Sequence, residues 1–133
     1  MQKVFHTASI IEQKMKKDVV KIRWNKSVRY AGQILKAVDI GCIIVVDEKD
    51  NLAGILTERD IVQKVVAKGL DPDKTQVKDI MSRDVITVDK QKSIEDAVRI
   101  MDQKKIKKLP VIDNGKLIGI VTMTDLLREL EKS

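Results

Sequence analysis

The sequence contains an internal repeat, and a duplicated chain is expected to fold into two copies of one small unit. When it is shifted by 66 residues, the sequence matches itself at positions that include seven named below, and after the turn that follows Asp47 a shift of 65 adds five more. The identical pairs include Met15/Met81, Asp18/Asp84, Val19/Val85, Ser27/Ser93, Ala31/Ala97, Val45/Val111, Asp47/Asp113, Leu52/Leu117, Gly54/Gly119, Ile55/Ile120, Thr57/Thr122 and Asp60/Asp125. One register with a single small gap predicts a duplicated unit of about 55 residues.

Each copy of the repeat predicts the element order β-α-β-β-α. A helix is expected after Ser27 and after Ser93, because apolar residues follow each serine at helical spacing. A second helix is expected from Glu58 and from Met123, and the Asn-Gly pair at 114–115 is typical of a hairpin turn. The predicted strands are 19–22, 43–46 and 52–56 in the first copy, and 85–88, 109–112 and 117–121 in the second.

This element order predicts an α+β protein made of two small domains. The first repeat is assigned to residues 10–67 and the second to residues 76–131, with 1–9 as an N-terminal segment and 68–75 as a linker. The linker contains the sequence Gly-Leu-Asp-Pro-Asp, whose glycine and proline interrupt regular structure. Since a unit of about 55 residues is marginal alone, we expect two repeats related by a pseudo-twofold axis to pack through their sheets.

Composition excludes several classes of protein. The net charge of +6 is spread over both halves of the chain, so there is no basic tail. The longest apolar run, Cys42–Val46, is too short to cross a membrane, and the N-terminus lacks a signal-peptide core. We therefore expect a cytoplasmic protein without a membrane partner. Three aromatic residues are too few for a platform that stacks nucleic-acid bases.

Neither a catalytic group nor a metal-binding group is recognisable in the sequence. His6 has no partner at metal-ligand spacing, and Cys42 is expected to be a small apolar residue of a buried strand. No Ser-His-Asp set, phosphate-binding loop or carboxylate pair occurs in a credible frame. We therefore expect no enzymatic activity, no bound metal and no obligatory cofactor.

The sharpest local pattern is Gly-x-x-Thr-x-x-Asp, which ends each predicted hairpin and opens the following helix. It places Thr57 three residues before Asp60 in the first copy, and Thr122 three residues before Asp125 in the second. One interpretation is a capping box, which satisfies the helix N-terminus and needs no ligand. The other is a ligand site, since free backbone amides attract phosphate and a carboxylate can accept hydrogen bonds from both hydroxyls of a ribose. Taken alone, the motif leaves both open.

Two stretches of the second copy resemble a CBS domain, the cystathionine β-synthase type repeat. They are VKDIMSRDVITVDKQKSIEDAVRIMDQKKIKKLPVID, which resembles its start, and LPVIDNGKLIGIVTMTDLL, which resembles its end. The first copy, DVVKIRWNKSVRYAGQILKAVDIGCIIVVDEKDNLAGILTERDI, is similar but more diverged. The resemblance covers roughly residues 10–131 and identifies a stand-alone pair of CBS domains, a Bateman module.

The resemblance implies that adenosine-containing ligands, namely AMP, ADP, ATP or S-adenosylmethionine, bind as regulators in clefts between the two repeats. In such modules the Asp that opens the helix holds the ribose hydroxyls, and the Thr lies near ribose or phosphate. This implies these roles for Asp60 with Thr57 and for Asp125 with Thr122. The residues that would enclose the base by position are Asp18, Val20, Lys21, Cys42, Ile43 and Ile44 in one site, and Asp84, Ile86, Thr87, Lys108, Leu109 and Pro110 in the other.

The two copies differ in charge near these positions. Lys21 and Arg59 in the first copy stand where the second copy has Thr87 and Thr124. Provided that these side chains reach the ligand, the first site is expected to prefer ligands with more phosphate, because cations bind phosphate oxygens strongly.

The leading hypothesis is a regulatory protein that passes nucleotide occupancy to an unidentified partner protein through a population shift. Such modules commonly form homodimers through exposed helices, and the apolar residues expected there in excess are Ile61, Val65, Leu126 and Leu130. The alternative is a nucleic-acid-binding protein, favoured by a pI of about 9.4 and by the lysine run at 104–108. A third hypothesis is a dimerisation unit whose ligand sites have decayed.

Overall fold

Helices pack against two small β-sheets in the part of the chain that the structure describes. The computed structural model describes residues 11–13, 15–17, 19–39 and 41–131. Within these ranges the strands form two three-stranded sheets, one in each repeat. The predicted α+β class and the β-α-β-β-α order of each repeat are confirmed.

The first sheet and its helices contain seven of the elements found in the described ranges. In chain order they are β1 (Lys21–Arg23), α1 (Val28–Val38), β2 (Cys42–Val46), β3 (Leu52–Thr57), α2 (Glu58–Ile61), a π-helix (Val62–Val66) and α3 (Val77–Ile80). β1 lies parallel to β2, and β3 lies antiparallel to it with Thr57 opposite Cys42. The π-helix continues α2, and in it the N–H of Ala67 donates to the carbonyl of Val62 at 2.8 Å.

The second sheet repeats this arrangement. Its elements are a 3-10 turn (Ile11–Gln13), β4 (Val88–Asp89), α4 (Ile94–Lys104), β5 (Lys108–Asp113), β6 (Lys116–Thr122) and α5 (Met123–Glu131). β4 lies parallel to β5, and β6 lies antiparallel to it with Thr122 opposite Lys108. Asn114 and Gly115 join β5 to β6 with positive φ angles of 52° and 82°, as a tight hairpin turn of this kind requires.

The first strand of each repeat begins later than the apolar pattern predicts. The predicted strands were 19–22 and 85–88, whereas β1 begins at Lys21 and β4 at Val88. An edge strand exists only where its backbone pairs with a neighbour, and pairing with β2 and β5 begins at these two residues. The apolar pattern does not specify this pairing.

Serine side chains cap the long helix of each repeat, as predicted. The Oγ of Ser27 accepts a hydrogen bond from the N–H of Tyr30, and the Oγ of Ser93 accepts one from the N–H of Asp96, each at 3.1 Å. Each bond satisfies an N–H that the first turn leaves unpaired, so it fixes where α1 and α4 begin.

The structure divides into two compact units whose limits differ from those of the two sequence repeats. One of them, the first unit, comprises Val20–Val85. The other, the second unit, combines residues 86–131 with the described residues before Val20. Each unit therefore contains most of one repeat together with the start of the other.

The exchanged segments are residues 76–85 in the first unit and the described residues of 11–19 in the second unit. Backbone pairing attaches each of them to the sheet of its unit. Ser82 exchanges two hydrogen bonds of 2.9 Å with Ile55 on β3. Lys16 exchanges two bonds, of 2.8 and 3.0 Å, with Ile120 on β6. Since Ile55 and Ile120 are equivalent in the repeat, the two attachments are equivalent as well.

The glycine of each Gly-x-x-Thr-x-x-Asp motif allows the exchanged segment to approach the sheet closely. A Cβ atom on Gly54 would lie 2.6 Å from the carbonyl oxygen of Ser82 and 2.7 Å from the sulfur of Met81. A Cβ atom on Gly119 would lie 2.5 Å from the sulfur of Met15. The packing of the segments therefore requires glycine at both positions.

Each unit has its own apolar core, and these cores absorb two residues that were expected at a dimer surface. Val65 is 1% exposed in the core of the first unit and Leu126 is 0% exposed in that of the second. Ile61 and Leu130 are partly buried against the same cores. The expectation that these apolar positions exceed the core is therefore wrong for Val65 and Leu126.

Candidate functional site

Thr57 and Asp60 form a capping box at the junction of β3 and α2. The N–H of Thr57 donates to Oδ2 of Asp60 and the N–H of Asp60 donates to Oγ1 of Thr57, both at 3.0 Å. The other carboxylate oxygen of Asp60, Oδ1, lies 3.2 Å from the Nζ of Lys64, one turn later. A carboxylate offers about four acceptor positions, so these contacts leave capacity for a further donor.

The equivalent pair lies at the junction of β6 and α5. The N–H of Asp125 donates to Oγ1 of Thr122 at 3.2 Å. The carboxylate of Asp125 lies 3.4 Å from the guanidinium of Arg128 and 3.6 Å from the Nζ of Lys16. This carboxylate is 30% exposed, against 16% for that of Asp60. Both units thus present a carboxylate at the same place, but different cations accompany it.

Two lysines that the sequence prediction missed contact these carboxylates. Lys64 joins Asp60 to the exchanged segment, because its ammonium also donates to the carbonyl of Ile80 at 3.0 Å. Its spacing of four residues from Asp60 on one helix was a signal that could have identified it. Lys16 reaches Asp125 only because its segment pairs with β6, and the sequence carries no signal for that contact.

The strand residues predicted to enclose a base divide between two faces of their sheets. Ile43 and Leu109 are 1% and 0% exposed and belong to the cores of their own units. Their side chains are therefore committed to packing, which leaves only their backbone groups to a ligand. Because strand residues alternate, their neighbours lie on the opposite face. These neighbours are Cys42, Ile44, Lys108 and Pro110.

The residues predicted from the start of each repeat have different locations. Asp18 lies outside the described residues. Val20 and Ile86 are half-buried against the cores of the first and second units, and Thr87 is half-buried too. Asp84 is exposed and belongs to the first unit, whereas Ile86 and Thr87 belong to the second.

Lys21, one of the two cations on which the predicted phosphate preference of the first repeat depended, contacts the far end of the hairpin rather than the motif. The Nζ of Lys21 lies 3.7 Å from Asp50, in the turn at the end of the hairpin opposite Thr57. Arg59 and Thr124 are both exposed beside their motifs. The charge argument for the first repeat therefore retains Arg59 alone.

The dense lysine run lies between α4 and β5. Lys104 occupies the last turn of α4, and Lys105 ends the helix in the left-handed conformation with φ of 57°. Cations at a helix C-terminus are favourable, which accounts for these two residues without a ligand. Lys107 and Lys108 are exposed and lie at the start of β5, close to the Thr122 motif.

Comparison with known protein families gives two matches to one family. The CBS domain matches residues 9–67 and again residues 77–132. The chain belongs to the CBS-domain family. The resemblance drawn from the sequence is thereby confirmed, and the two matches follow the tandem repeat.

Relatives of this CBS-domain protein occur in archaea. An uncharacterized protein of Methanopyrus kandleri is 52% identical over 90 residues, which are 67% of this chain and 46% of the relative. An uncharacterized protein of Methanocaldococcus jannaschii is 34% identical over 116 residues, which are 86% of this chain and 62% of the relative. The chain thus spans less than two thirds of the length of either relative.

A solved structure has the same fold. The crystal structure of Hypoxic Response Protein I with two coordinated zinc ions aligns with a TM-score of 0.79 at 31% identity, over 90% of this chain and 98% of that one.

Within the ranges described for the present CBS-domain protein, no group of three or more His, Cys, Asp or Glu residues is placed to hold a metal ion. No helix in those ranges has the length and apolar character needed to cross a membrane.

Proposed function

We propose that this CBS-domain protein is a non-catalytic regulatory module that binds adenosine-containing ligands, namely AMP, ADP, ATP or S-adenosylmethionine. The proposed contacts are a ribose held by Asp60 or Asp125, with Thr57 or Thr122 beside it. The observation that carries the proposal is the equivalent placement of these two carboxylates, each partly exposed at the end of a strand and the start of a helix.

The chemistry of a ribose suits the acceptor capacity of these groups. In the first unit, Oδ2 of Asp60 accepts the capping bond, while Oδ1 lies 3.2 Å from the ammonium of Lys64. A carboxylate has about four acceptor positions, so two adjacent hydroxyls can still donate to one that a backbone N–H and an ammonium group already contact. The capping role and the ligand role are therefore compatible, and the ligand role is the one that needs a test.

A signalling mechanism follows from the contacts of the same carboxylates. Lys64 ties Asp60 to the carbonyl of Ile80 in one exchanged segment, and Lys16 ties Asp125 to the other segment. A ribose that engages either carboxylate competes with these lysines. Ligand binding would then shift the population of attached and loosened segments, to the extent that the ligand prefers one state. A partner protein that contacts a segment would sense this shift.

A thermal denaturation screen tests ligand binding directly. A ligand at 100 times its dissociation constant stabilises the folded state by about 2.7 kcal/mol, which corresponds to a Tm increase on the order of 10 °C for a chain of this size. AMP, ADP, ATP and S-adenosylmethionine are each compared with guanosine and cytidine nucleotides as controls. A Tm that stays constant for all four adenosine compounds would contradict the proposal.

We also propose that the protein forms a homodimer through the helical surface of its first unit. Val62 and Val66 of the π-helix are 57% and 68% exposed, and Leu70 beyond it is 46% exposed. These three exposed residues, rather than the buried Val65 and Leu126, are the apolar side chains that a second copy would contact. Burial of such a surface against the same surface of another chain removes apolar area from water on both sides.

A further inference from the structure

The two motifs lie in different electrostatic surroundings, although their backbone contacts are equivalent. The residue opposite the motif threonine is Cys42 in the first unit and Lys108 in the second. The residue that precedes Cys42 or Lys108 accepts a backbone hydrogen bond from the first residue of the helix that follows the motif threonine. In the first unit, the carbonyl of Gly41 accepts from the N–H of Glu58 at 3.2 Å, and in the second unit the carbonyl of Lys107 accepts from the N–H of Met123 at 2.8 Å.

The exchanged segments add to this difference. Lys16 and Ser82 occupy equivalent positions, since each pairs with the isoleucine that follows the motif glycine. Only Lys16 brings a charge, and its ammonium lies 3.6 Å from the carboxylate of Asp125. Its side chain is 66% exposed, so it can turn toward a ligand group beside that carboxylate without leaving a buried site.

The remaining equivalent positions lie one turn into each helix. Arg128 contacts Asp125 at 3.4 Å where the first unit has the uncharged Gln63. In the opposite sense, Lys64 contacts Asp60 at 3.2 Å where the second unit has Glu129.

Taken over these equivalent positions, the second unit is the more positive. It places four cations and two carboxylates around its motif, whereas the first unit places two cations and two carboxylates. The second-unit groups are Lys16, Lys107, Lys108, Arg128, Asp125 and Glu129, and the first-unit groups are Arg59, Lys64, Glu58 and Asp60. The second motif thus carries two more net positive charges than the first.

We propose that the two motifs differ in ligand class, with the second-unit motif selecting nucleoside di- and triphosphates and the first-unit motif binding adenosine ligands irrespective of phosphate number. Lys16 and Lys108 are the specificity-determining residues. They flank Thr122 and Asp125 from the two neighbouring backbone segments, so a ribose on Asp125 leaves both ammonium groups free to approach a phosphate chain. This assignment rests on the proposed function and reverses the phosphate preference expected from Lys21 and Arg59.

The assignment predicts a selective loss of affinity for phosphates. An ammonium group that meets a phosphate in a charge-assisted hydrogen bond contributes roughly tenfold in affinity. In a chain that carries Asp60→Asn, which weakens the first motif, Lys16→Gln and Lys108→Gln should each weaken ATP binding by about tenfold. Adenosine binding should change by less than about twofold, because adenosine has no phosphate. The loss should diminish at high salt, since exposed charges are screened.

Isothermal titration calorimetry with adenosine, AMP and ATP on the full chain tests this assignment. Lys21→Gln serves as the matched control and should leave the ATP affinity unchanged, while Lys16→Arg should retain it. Equal losses of adenosine and ATP affinity in Lys16→Gln and Lys108→Gln, or a selective loss of ATP in Lys21→Gln, would overturn the assignment and leave the proposed function intact. If the unsubstituted chain binds neither these three compounds nor ADP and S-adenosylmethionine, the proposed function fails and the assignment fails with it.

Discussion

Thr57 and Asp60 hydrogen bond each other in both directions, with each backbone N–H donating to the other side chain at 3.0 Å. This reciprocal pair gives the motif a structural role that does not depend on any ligand, because it satisfies N–H groups at the start of α2. In the second unit, the N–H of Asp125 likewise donates a hydrogen bond to Oγ1 of Thr122. Stability and ligand affinity must therefore be measured separately for every substitution in the motif.

Substitution of the motif glycines is predicted to destabilise the fold. In Gly54→Ala the new methyl group would meet the carbonyl oxygen of Ser82 at 2.6 Å, and in Gly119→Ala it would meet the sulfur of Met15 at 2.5 Å. Overpacking of this kind costs about 1–3 kcal/mol. We expect Gly54→Ala to be the more costly, because a backbone atom yields less readily than the end of a methionine side chain. Urea denaturation monitored by circular dichroism measures both losses.

Gly32→Ala is the matched control for these glycine substitutions. Gly32 lies within α1, and a Cβ atom there would meet nothing within 4 Å. Alanine in a helix interior is more favourable than glycine by about 0.5–1 kcal/mol, so this variant should gain stability. If all three variants lose equal stability, the close approach of the exchanged segments is not the cause.

The stability of α4 is predicted to depend on pH in the acid range. The hydrogen bond from Arg99 and then that from Ser93 lower the pKa of Asp96 below its ordinary value of 3.8. A carboxylate whose pKa is lower in the folded state stabilises the fold above the unfolded pKa, and this contribution is lost as the pH falls through the folded pKa. The contribution of this exposed pair is at most about 1 kcal/mol.

Asp96→Asn and Arg99→Gln should each lower the free energy of unfolding at pH 7. Both differences from the unsubstituted protein should shrink as the pH is lowered from 7 toward 2, because Asp96 loses its charge as the pH falls through its lowered pKa. Urea midpoints at the two pH values measure this dependence. A difference that persists unchanged at pH 2 would show that the two side chains act through packing rather than charge.

Much of the fold could be predicted because its determinants are local. Ser27, Ser93 and the Asn114-Gly115 turn act within a few residues of themselves, so the pattern around them predicted the starts of α1 and α4 and the second hairpin. The limits of β1 and β4 depend on pairing with β2 and β5, which are distant in sequence. Apolar pattern alone could not locate those limits.

The candidate site shows the same division between local and distant determinants. The spacing of Thr122 and Asp125 predicted their hydrogen bond. The contact of Lys16 with Asp125 depends on a segment from the opposite end of the chain, and the direction of Lys21 toward Asp50 depends on the side of the hairpin that it faces. Neither contact follows from residue spacing, so the sequence alone could not place these two cations relative to the motifs.

The proposed homodimer predicts a molecular mass of twice the 15.1 kDa of the chain in light scattering at micromolar concentration. Val62→Lys and Val66→Lys together should halve this mass, because they place charges on the exposed apolar surface. Gln63→Lys adds a charge to the same exposed turn without removing apolar area and serves as the control. An unsubstituted protein with the mass of a single chain would contradict the homodimer.

The central claim is that Asp60 and Asp125 hold the ribose of an adenosine-containing ligand. Calorimetric titration of the unsubstituted chain, Asp60→Asn, Asp125→Asn and the double variant with AMP and ATP tests it most directly. Charge-assisted hydrogen bonds of about 1.5–3 kcal/mol predict a ten- to hundredfold loss at one site in each single variant and at both sites in the double variant. A 2′-deoxy nucleotide should bind the unsubstituted chain more weakly by a similar factor. Stability without ligand should fall by only about 0.5–1 kcal/mol, because asparagine also caps helices. Dissociation constants that are the same in all four proteins would contradict the claim and leave the two aspartates with a capping role alone.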